Sequence, residues 1–508
     1  MKKYLLLILT FSLSHFLTLK AQNCADCRYI SPVFDSVTVE TVHFGESVTI
    51  DGDTMQLYMD IYQPYGDTLS ARPVLLFAFG GGFVQGSRED WYVVEVCKQF
   101  AKAGYVCVSP DYRTGIDYGE ILALQHMRIF FRPMQDMRGC IQHLKADYSE
   151  LGNNYNIDTT KIFIGGASAG AITALMTQYC DKESEMAQMG DIAALDELGG
   201  FYSSSGFYPN YSWTGVAVIN VAGALIDAGW IEAGDIPVIS AHGDADAIVP
   251  YKYGGFGGIS FGFFDLQGSF VVDSMATAKG VCSYLYTMAG QNHPSDTMGI
   301  EYIKSVVHRI ALRAHAILMG RSFCCPLKVD VQPGDTLFHW YDQAGIEVTL
   351  NAAVTNDSGN ANIQWCSIPC QFTGTGNSIT FQEADTNLRF VVAMAYEGGC
   401  EASDLYIVTD TAMWEAIHEY NYSVDFSVYP QPANSQITVS ADLKQNSGKP
   451  VTVELFNIRG QTVFVQQFPA NQKLQISIET SDFPSGNYLL RLKSGNEILG
   501  AKKIIVSR

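Results

Sequence analysis

A serine set among small residues follows an apolar run at residues 161–170, KIFIGGASAG. Gly166, Ser168 and Gly170 form a G-x-S-x-G pattern between a predicted strand and a predicted helix, the setting in which a serine becomes an exposed nucleophile. The glycines would relieve crowding where the chain turns sharply. The alternative is an ordinary strand-to-helix turn with Ser168 as its N-cap. A nucleophilic serine also needs a base, a carboxylate and oxyanion donors. The choice between the two interpretations therefore depends on whether the rest of the chain supplies these groups.

Oxyanion donors are expected where an earlier strand ends in three glycines, within FAFGGGFVQGSR at residues 77–88. Only glycine lets the backbone bring adjacent N–H groups this close to a substrate oxygen. We therefore predict an oxyanion hole made by the main-chain amides of Gly81 and Gly82, together with that of Ala169 directly after the serine. A flexible loop is the alternative.

The acid and the base are expected after two later strands. PVISAHGDADAIVPY, residues 237–251, places Asp246 just after a strand end, with Asp244 as a competitor. His242 stands at the strand terminus itself and is predicted to be structural. His293, in YLYTMAGQNHPSDTM, follows the last strand before the last helix and is the predicted base. Two further histidines, His308 and His315, fall within that helix and are predicted to be surface or packing residues.

The elements needed to position these residues follow from the hydrophobic pattern. From about residue 36 to 320, short β-branched or aromatic runs alternate with helical ones, which predicts an α/β fold with a doubly wound, mostly parallel sheet. After about residue 325 the helical runs disappear, and two small all-β sandwich domains are predicted. The predicted limits are 22–323 for the catalytic domain, 324–412 for the first sandwich, 413–423 for a linker and 424–508 for the last domain.

Composition and charge exclude some partners. The 508 residues include 32 Lys and Arg against 52 Asp and Glu, a net charge of −20 that would repel phosphate backbones, so we predict no nucleic-acid binding. Residues 1–21 combine two lysines with an apolar stretch and a plausible cleavage point, which predicts a secretory signal peptide. No other run is long and apolar enough to predict a transmembrane segment.

Twelve cysteines in an exported chain favour disulfides, since these persist in an oxidising compartment. Zinc is the alternative, because Cys24 and Cys27, or Cys366 and Cys370, have tolerable spacing. No matching histidine pair accompanies them, so we predict structural disulfides and no metal or other cofactor. Spacing alone leaves the connectivity open.

Residues of about 36–320 resemble the α/β-hydrolase family, in particular its carboxylesterases with a glycine-rich oxyanion loop. The resemblance is carried, in order, by FGGGF, SPDYR, GGASAG, HGDADAIVP and GQNH. It implies a metal-independent serine esterase that works through an acyl-enzyme, with the order Ser168, Asp246, His293. Phe79 is a departure, because the family motif has a histidine at that position.

The last eighty-five or so residues resemble the C-terminal sorting domain of proteins exported by bacterial type IX secretion. Its successive elements are VYPQPANSQITV, VELFNIRGQTV, FPSGNYLLRL and KKIIV. Gln431 departs from the usual Asn of the opening element. The resemblance implies the type IX secretion machinery as a partner and export across the outer membrane, to the medium or the cell surface. The preceding module resembles an Ig or PKD type domain.

These features predict a secreted serine carboxylic-ester hydrolase acting on a small ester or an acylated polysaccharide, with acetyl or feruloyl groups as candidates. A serine peptidase on the same fold and a catalytically silent surface adhesin are the alternatives. Aromatic inserts at residues 117–133, 196–213 and 251–268 are predicted to line the mouth of the site. Alternatively, their rings pack within the protein.

Overall fold

The computed structural model describes two stretches of the chain. The first comprises residues 27–117, 126–255, 265–294 and 300–327. The second comprises residues 328–332, 336–339, 346–370, 373–383, 390–410, 426–430, 433, 435–443, 450–457, 462–469, 473–481, 483, 486–494 and 497–506. The predicted signal peptide and linker lie outside the described residues.

The first stretch alternates strands and helices. Its strands are β1 (Val37–Val48), β2 (Thr54–Pro64), β3 (Arg72–Ala78), β4 (Val106–Pro110), β5 (Ile157–Ala167), β6 (Ala217–Val221), β7 (Ala224–Leu225), β8 (Val238–Gly243), β9 (Tyr253–Gly254), β10 (Leu266–Gly268) and β11 (Ser283–Met288). Its helices are α1 (Trp91–Lys102), α2 (Met127–Ser149), α3 (Ala169–Tyr179), α4 (Glu183–Met186), α5 (Ser269–Ala278) and α6 (Ile300–Leu318). Three short 3₁₀ turns lie at Ala187–Met189, Ile192–Leu198 and Ala228–Trp230.

Eight of these strands form one mixed sheet in the order β1-β2-β4-β3-β5-β6-β8-β11. The pairs β1·β2 and β2·β4 are antiparallel, and every later neighbouring pair is parallel. β3, β4, β6 and β8 are buried along their whole length, which explains their nearly unbroken apolar sequences. The predicted α/β fold with a mostly parallel sheet is confirmed.

The parallel strands place the predicted site residues at one edge of the sheet. β3, β5, β8 and β11 run in the same direction, so their carboxyl ends share that edge. The glycine loop follows β3, Ser168 follows β5, Asp246 follows β8 and His293 follows β11. Ligand sites in open α/β sheets form at these carboxyl ends.

The second stretch contains strands and no helix among its described residues. These strands are β12 (Lys328–Gln332), β13 (Thr336–His339), β14 (Ile346–Thr355), β15 (Asn362–Ile368), β16 (Thr373–Thr375), β17 (Ser378–Glu383), β18 (Phe390–Glu397), β19 (Cys400–Asp410), β20 (Phe426–Tyr429), β21 (Gln436–Asp442), β22 (Val451–Asn457), β23 (Thr462–Phe468), β24 (Lys473–Glu479), β25 (Gly486–Ser494) and β26 (Glu497–Val506).

These strands form two pairs of small sheets. The first pair, β12-β14-β17 and β13-β19-β18-β15-β16, encloses an apolar cluster around Trp365, which is fully buried. The second pair, β20-β21-β24 and β23-β22-β25-β26, encloses a separate cluster. Almost all pairings are antiparallel, and β13·β19 is parallel. The predicted pair of small β domains after the α/β domain is confirmed, and the domain limits stay a prediction.

Covalent and ionic links join the α/β domain to the first β domain. A disulfide connects Cys27 to Cys366, which are 339 residues apart, and a second connects Cys282 to Cys324. Across the same junction, the buried Glu401 accepts hydrogen bonds from His315 (2.9 Å) and from the guanidinium of Arg321 (2.7 Å). Disulfides, predicted as a class, thus include one that fixes this junction.

Candidate active site

Ser168 occupies a turn of one residue between β5 and α3. Its φ of 54° and ψ of −121° are rare for a residue with a side chain and store local backbone strain. Two hydrogen bonds hold the turn: the Ser168 amide donates to the Val221 carbonyl (2.8 Å), and the Ile172 amide donates to the Ser168 carbonyl (2.9 Å). The serine is therefore locked in an unusual conformation by its neighbours on β6 and α3.

The glycines on either side of the serine are sterically required. A Cβ on Gly166 would lie 2.6 Å from the carbonyl carbon of Gly170, and a Cβ on Gly170 would lie 2.3 Å from the Phe79 carbonyl oxygen. Real Cβ atoms do not approach backbone atoms this closely. The small residues of the motif therefore let β5, α3 and the end of β3 meet closely around Ser168.

The three predicted triad residues meet in the structure. The Oγ of Ser168 lies 2.9 Å from Nε2 of His293, and Nδ1 of His293 lies 2.6 Å from Oδ2 of Asp246. Because an ionised carboxylate only accepts, the Nδ1–H donates to Asp246 and Nε2 is left to accept from the serine hydroxyl. This is the arrangement in which a serine can lose its proton to a histidine.

The side chain of Asp246 is fully buried and held on both oxygens. Oδ1 accepts from the amides of Ile248 (2.8 Å) and Val249 (2.9 Å), while Oδ2 faces His293 and His242. Burial by itself would raise the pKa of Asp246, but the hydrogen bonds from the two histidines outweigh it and hold the pKa well below its usual range. The carboxylate is therefore ionised at neutral pH.

The competing carboxylate, Asp244, lies elsewhere. Its Oδ1 accepts from the Gly290 amide at 2.5 Å, which ties the loop after β8 to the loop after β11. A glycine is also needed at position 243 for these two loops to approach each other, because a Cβ there would lie 2.2 Å from the carbonyl oxygen of Gln291. The sequence ranked Asp244 below Asp246, and in the structure Asp246 faces the histidine.

His308 and His315 are remote from the site, as expected. The ring of His308 packs against Phe390, with centroids 5.0 Å apart, and His315 binds Glu401. Both residues therefore serve the junction between α6 and the first β domain.

The glycine loop lies beside the serine. A Cβ on Gly80 would be 3.1 Å from the Cβ of Ser168, and a Cβ on Gly81 would be 1.9 Å from the Gln85 carbonyl oxygen. Gly81 and Gly82 have φ values of 111° and 65°, which favour glycine. Within the described part of the chain, the amides of Gly81, Gly82 and Ala169 make no hydrogen bond. These three N–H groups are thus free to serve as the predicted oxyanion donors.

Two tyrosines support this loop, and sequence reasoning missed both. The ring of Phe79 stacks on Tyr112 with centroids 4.0 Å apart, and the Tyr112 hydroxyl donates to the Phe79 carbonyl at 2.9 Å. The Gly80 amide donates to the Tyr92 hydroxyl at 2.5 Å. Burial raises the pKa of Tyr112 far above its usual value, so its phenol remains a donor. Tyr112 is the tyrosine of the SPDYR segment, and it is the feature of the sequence that could have indicated this support.

The insert at residues 196–213 packs away from the serine. Four of its rings contact α2 or β1: Phe201 stacks with Phe131, Phe207 meets His43, Tyr208 meets His143, and Trp213 covers the guanidinium of Arg138. These four rings therefore pack within the protein, which was the alternative to their lining the mouth of the site. Residues 118–125 and 256–264 of the other two inserts lie outside the described residues.

Two segments of the chain match known protein families. Residues 59–201 match the family BD-FAE, and residues 427–507 match the secretion system C-terminal sorting domain. The chain contains an α/β-hydrolase domain of the esterase type and a sorting domain. Both predicted resemblances are confirmed. The match to the esterase-type domain includes Ser168 and the glycine loop, whereas Asp246 and His293 lie beyond it.

Individual relatives are more distant. Esterase LipC of Mycobacterium tuberculosis is 27% identical over 167 residues, which cover 32% of this chain and 36% of the relative. The match therefore spans about a third of that protein's length. Thermogutta terrifontis esterase 2 phosphorylated by paraoxon aligns with 56% of this chain and 94% of its own, at 21% identity and a TM-score of 0.38. Its propionate-bound form aligns at 20% identity, covering 55% and 95%, with a TM-score of 0.37.

The sorting domain indicates type IX export to the cell surface or to the outside, which confirms the predicted localisation. Among the helices that the structure describes, none is both long and apolar enough to cross a membrane.

Proposed function

We propose that this protein is a serine carboxylic-ester hydrolase that works through an acyl-enzyme on Ser168. The observation that carries the proposal is the unbroken hydrogen-bonded line from Asp246 through His293 to Ser168, built on a strained turn beside a glycine loop. A turn that only capped a helix would need neither the histidine nor the buried carboxylate. Ser168 makes no side-chain cap hydrogen bond to α3, which also favours the nucleophile.

Acylation follows from this geometry. His293 Nε2 takes the Oγ proton of Ser168 while Oγ bonds to the acyl carbon of the ester, and the carbonyl electron pair moves onto its oxygen. The amides of Gly81, Gly82 and Ala169 stabilise that oxyanion. When the carbonyl re-forms, the bond to the alcohol oxygen breaks and His293 gives its proton to the departing alcohol. Asp246 stabilises the charged imidazole throughout.

Deacylation repeats the sequence with water. His293 removes a proton from a water molecule whose oxygen attacks the acyl carbon, and the same amides stabilise the second oxyanion. Collapse breaks the bond to Oγ, Ser168 recovers a proton from His293, and the carboxylic acid leaves. The enzyme returns to its starting state with no metal or redox step in the scheme.

An acylated polysaccharide is the substrate class we propose. The support for this class is the sorting domain, which indicates delivery to the outside, where such polymers are accessible. Acetyl and feruloyl esters are the candidates, and short acyl chains are expected to react faster than long ones. The kcat/KM values for p-nitrophenyl esters of increasing chain length test this, because a preference for about eight carbons or more would contradict it.

The mechanism is tested by hydrolysis of p-nitrophenyl acetate by purified wild-type, Ser168→Ala and His293→Ala proteins. Both variants should lose nearly all activity and to a similar extent, since the two residues act as one unit. Circular dichroism and thermal unfolding serve as controls for folding. Retention of wild-type activity by a folded Ser168→Ala protein would overturn the proposal.

A further inference from the structure

His242 lies behind the triad carboxylate, fully buried at the end of β8. Its Nε2 is 3.2 Å from Oδ2 of Asp246 and 3.1 Å from the carbonyl oxygen of Val249. Its Nδ1 is 2.7 Å from Oγ of Ser269, the first residue of α5. Both ring nitrogens are thus engaged, on opposite sides of the ring.

The partners of the His242 ring select one of its two neutral tautomers. An ionised Asp246 and the Val249 carbonyl are both acceptors, so Nε2 must carry the proton that faces them. Nδ1 then accepts the hydroxyl proton of Ser269 at 2.7 Å, because the other acceptor within reach of that hydroxyl, the Gly223 carbonyl oxygen, is farther away at 3.2 Å. The Ser269 oxygen accepts in turn from the side-chain amide of Asn220 at 2.9 Å. A buried chain of donors therefore runs from Asn220 to Asp246 and points every proton toward the carboxylate.

Oδ2 of Asp246 is shared by two histidines, at 2.6 Å from His293 and 3.2 Å from His242. Resting on the proposed function, we propose that His242 is a positioning residue: its Nε2–H holds Oδ2 in place, so that Asp246 meets the Nδ1–H of His293 with the correct geometry. Because His242 is fully buried, it is out of reach of a substrate and acts through Asp246.

Two amide substitutions separate this role from simple packing. In His242→Gln the side-chain amide reaches the former Nε2 position and can donate to Asp246, whereas in His242→Asn it reaches only the Nδ1 position and Ser269. We expect kcat for p-nitrophenyl acetate to stay within about 5-fold of wild type in His242→Gln and to fall about 10- to 100-fold in His242→Asn, with KM changed less than about 2-fold in both.

A spectroscopic measurement provides an independent readout. The low-field proton NMR signal of the His293 Nδ1–H should be retained in His242→Gln and shifted or lost in His242→Asn. Equal kcat and equal spectra in two folded variants would overturn the role of His242. Wild-type activity that does not depend on Ser168 would instead overturn the proposed function, so the two failures are distinguishable.

A second inference comes from the junction with the first β domain. Ser322 pairs with Cys400 in a parallel bridge: its amide donates to the Gly399 carbonyl (2.8 Å), and its carbonyl accepts from the Glu401 amide (2.9 Å). The Sγ of Cys325 lies 3.3 Å from that same Ser322 carbonyl oxygen. This arrangement brings the Cys325 thiol over the strand that starts at Cys400.

The two thiols are also in direct contact. A hydrogen bond with Cys325 raises the pKa of Cys400 to about 11, with burial adding to the effect. Both residues pack against the same apolar cluster, and both are partly exposed. They are therefore accessible to an external oxidant, unlike the buried free thiols of Cys140 and Cys180.

We propose that Cys325 and Cys400 form a disulfide in the exported protein. The two thiols lose two protons and two electrons, the S–S bond forms, and a disulfide of a thiol oxidant is reduced to two thiols. The bond would link the end of the α/β domain to β19. It would complement the bridge between Cys27 and Cys366.

Peptide mass spectrometry tests this on protein exported into the medium, denatured, and alkylated without reduction. A linked peptide pair containing Cys325 and Cys400 is expected, while Cys140 and Cys180 should be alkylated as internal controls. Alkylation of both Cys325 and Cys400, or a bond from Cys325 to Cys282 in place of Cys324, would overturn the proposal.

Discussion

Removal of the Tyr112 hydroxyl should slow hydrolysis more than it perturbs the fold. In Tyr112→Phe the stacked ring stays, but the buried carbonyl of Phe79 loses the donor that lies 2.9 Å away. Leaving such a group unpaired costs about 1–3 kcal/mol. If that cost falls on the placement of the glycine loop in the transition state, kcat/KM drops about 5- to 150-fold, since 1.4 kcal/mol is tenfold.

Tyr179→Phe is the matched control. Its hydroxyl donates to the Ile236 carbonyl at the same distance of 2.9 Å, and its ring is equally buried, but it lies at the far end of α3 from the serine. We expect urea unfolding to show a similar loss of stability in both variants, with wild-type kcat/KM on p-nitrophenyl acetate in Tyr179→Phe alone. Equal kcat/KM values in the two variants would refute the role of Tyr112 in supporting the loop.

Three further predictions concern the acid, the junction and the tail. Asp246→Asn should lower kcat by roughly 10⁴-fold, the loss that follows when the triad aspartate of a serine protease is replaced by asparagine. Asp244→Asn should lower kcat by less than about 3-fold, and steady-state kinetics that reverse this order would make Asp244 the acid. Hydrogen bonds from His315 and Arg321 outweigh the burial that would raise the pKa of Glu401, and hold it below its usual value. That stabilisation is fully present above the ordinary glutamate pKa of 4.5 and is lost as pH falls through the lower folded-state pKa. Glu401→Gln should therefore destabilise the protein at pH 7 and less so in acid, as thermal unfolding can show. Deleting the residues from 424 onward should leave ester hydrolysis intact and stop surface delivery; cell fractionation that finds the truncated protein on the surface would count against the sorting role.

The positions of the site residues could be predicted because each follows a strand that can be recognised in the sequence. The sequence shows apolar runs at the positions of β3, β5, β8 and β11. Because these strands are parallel, their carboxyl ends come together. Ser168, Asp246 and His293 could therefore be placed from the sequence. The choice of Asp246 over Asp244 could be ranked only, because it depends on which carboxylate the turn after Gly243 directs at the histidine.

Features that depend on contacts distant in sequence could not be predicted. The support of Phe79 by Tyr112 joins two strand ends 33 residues apart, and the bridge from Cys27 to Cys366 spans 339 residues. Neither contact produces a periodic pattern in the sequence from which it could be predicted. The composition of the insert around Phe201 is typical of a loop at the mouth of a site. Only its packing on α2 in the structure shows where its rings lie.

The most direct test of the account is the site of covalent modification by an ester-like inhibitor. Intact wild-type protein treated with a fluorophosphonate, then digested and analysed by mass spectrometry, should carry one adduct per chain, located on Ser168. Ser168→Ala should carry none, and His293→Ala should react far more slowly, because the hydroxyl has lost its base. An adduct on another residue, or none at all in a preparation that still hydrolyses p-nitrophenyl acetate, would contradict the assignment of Ser168 as the nucleophile.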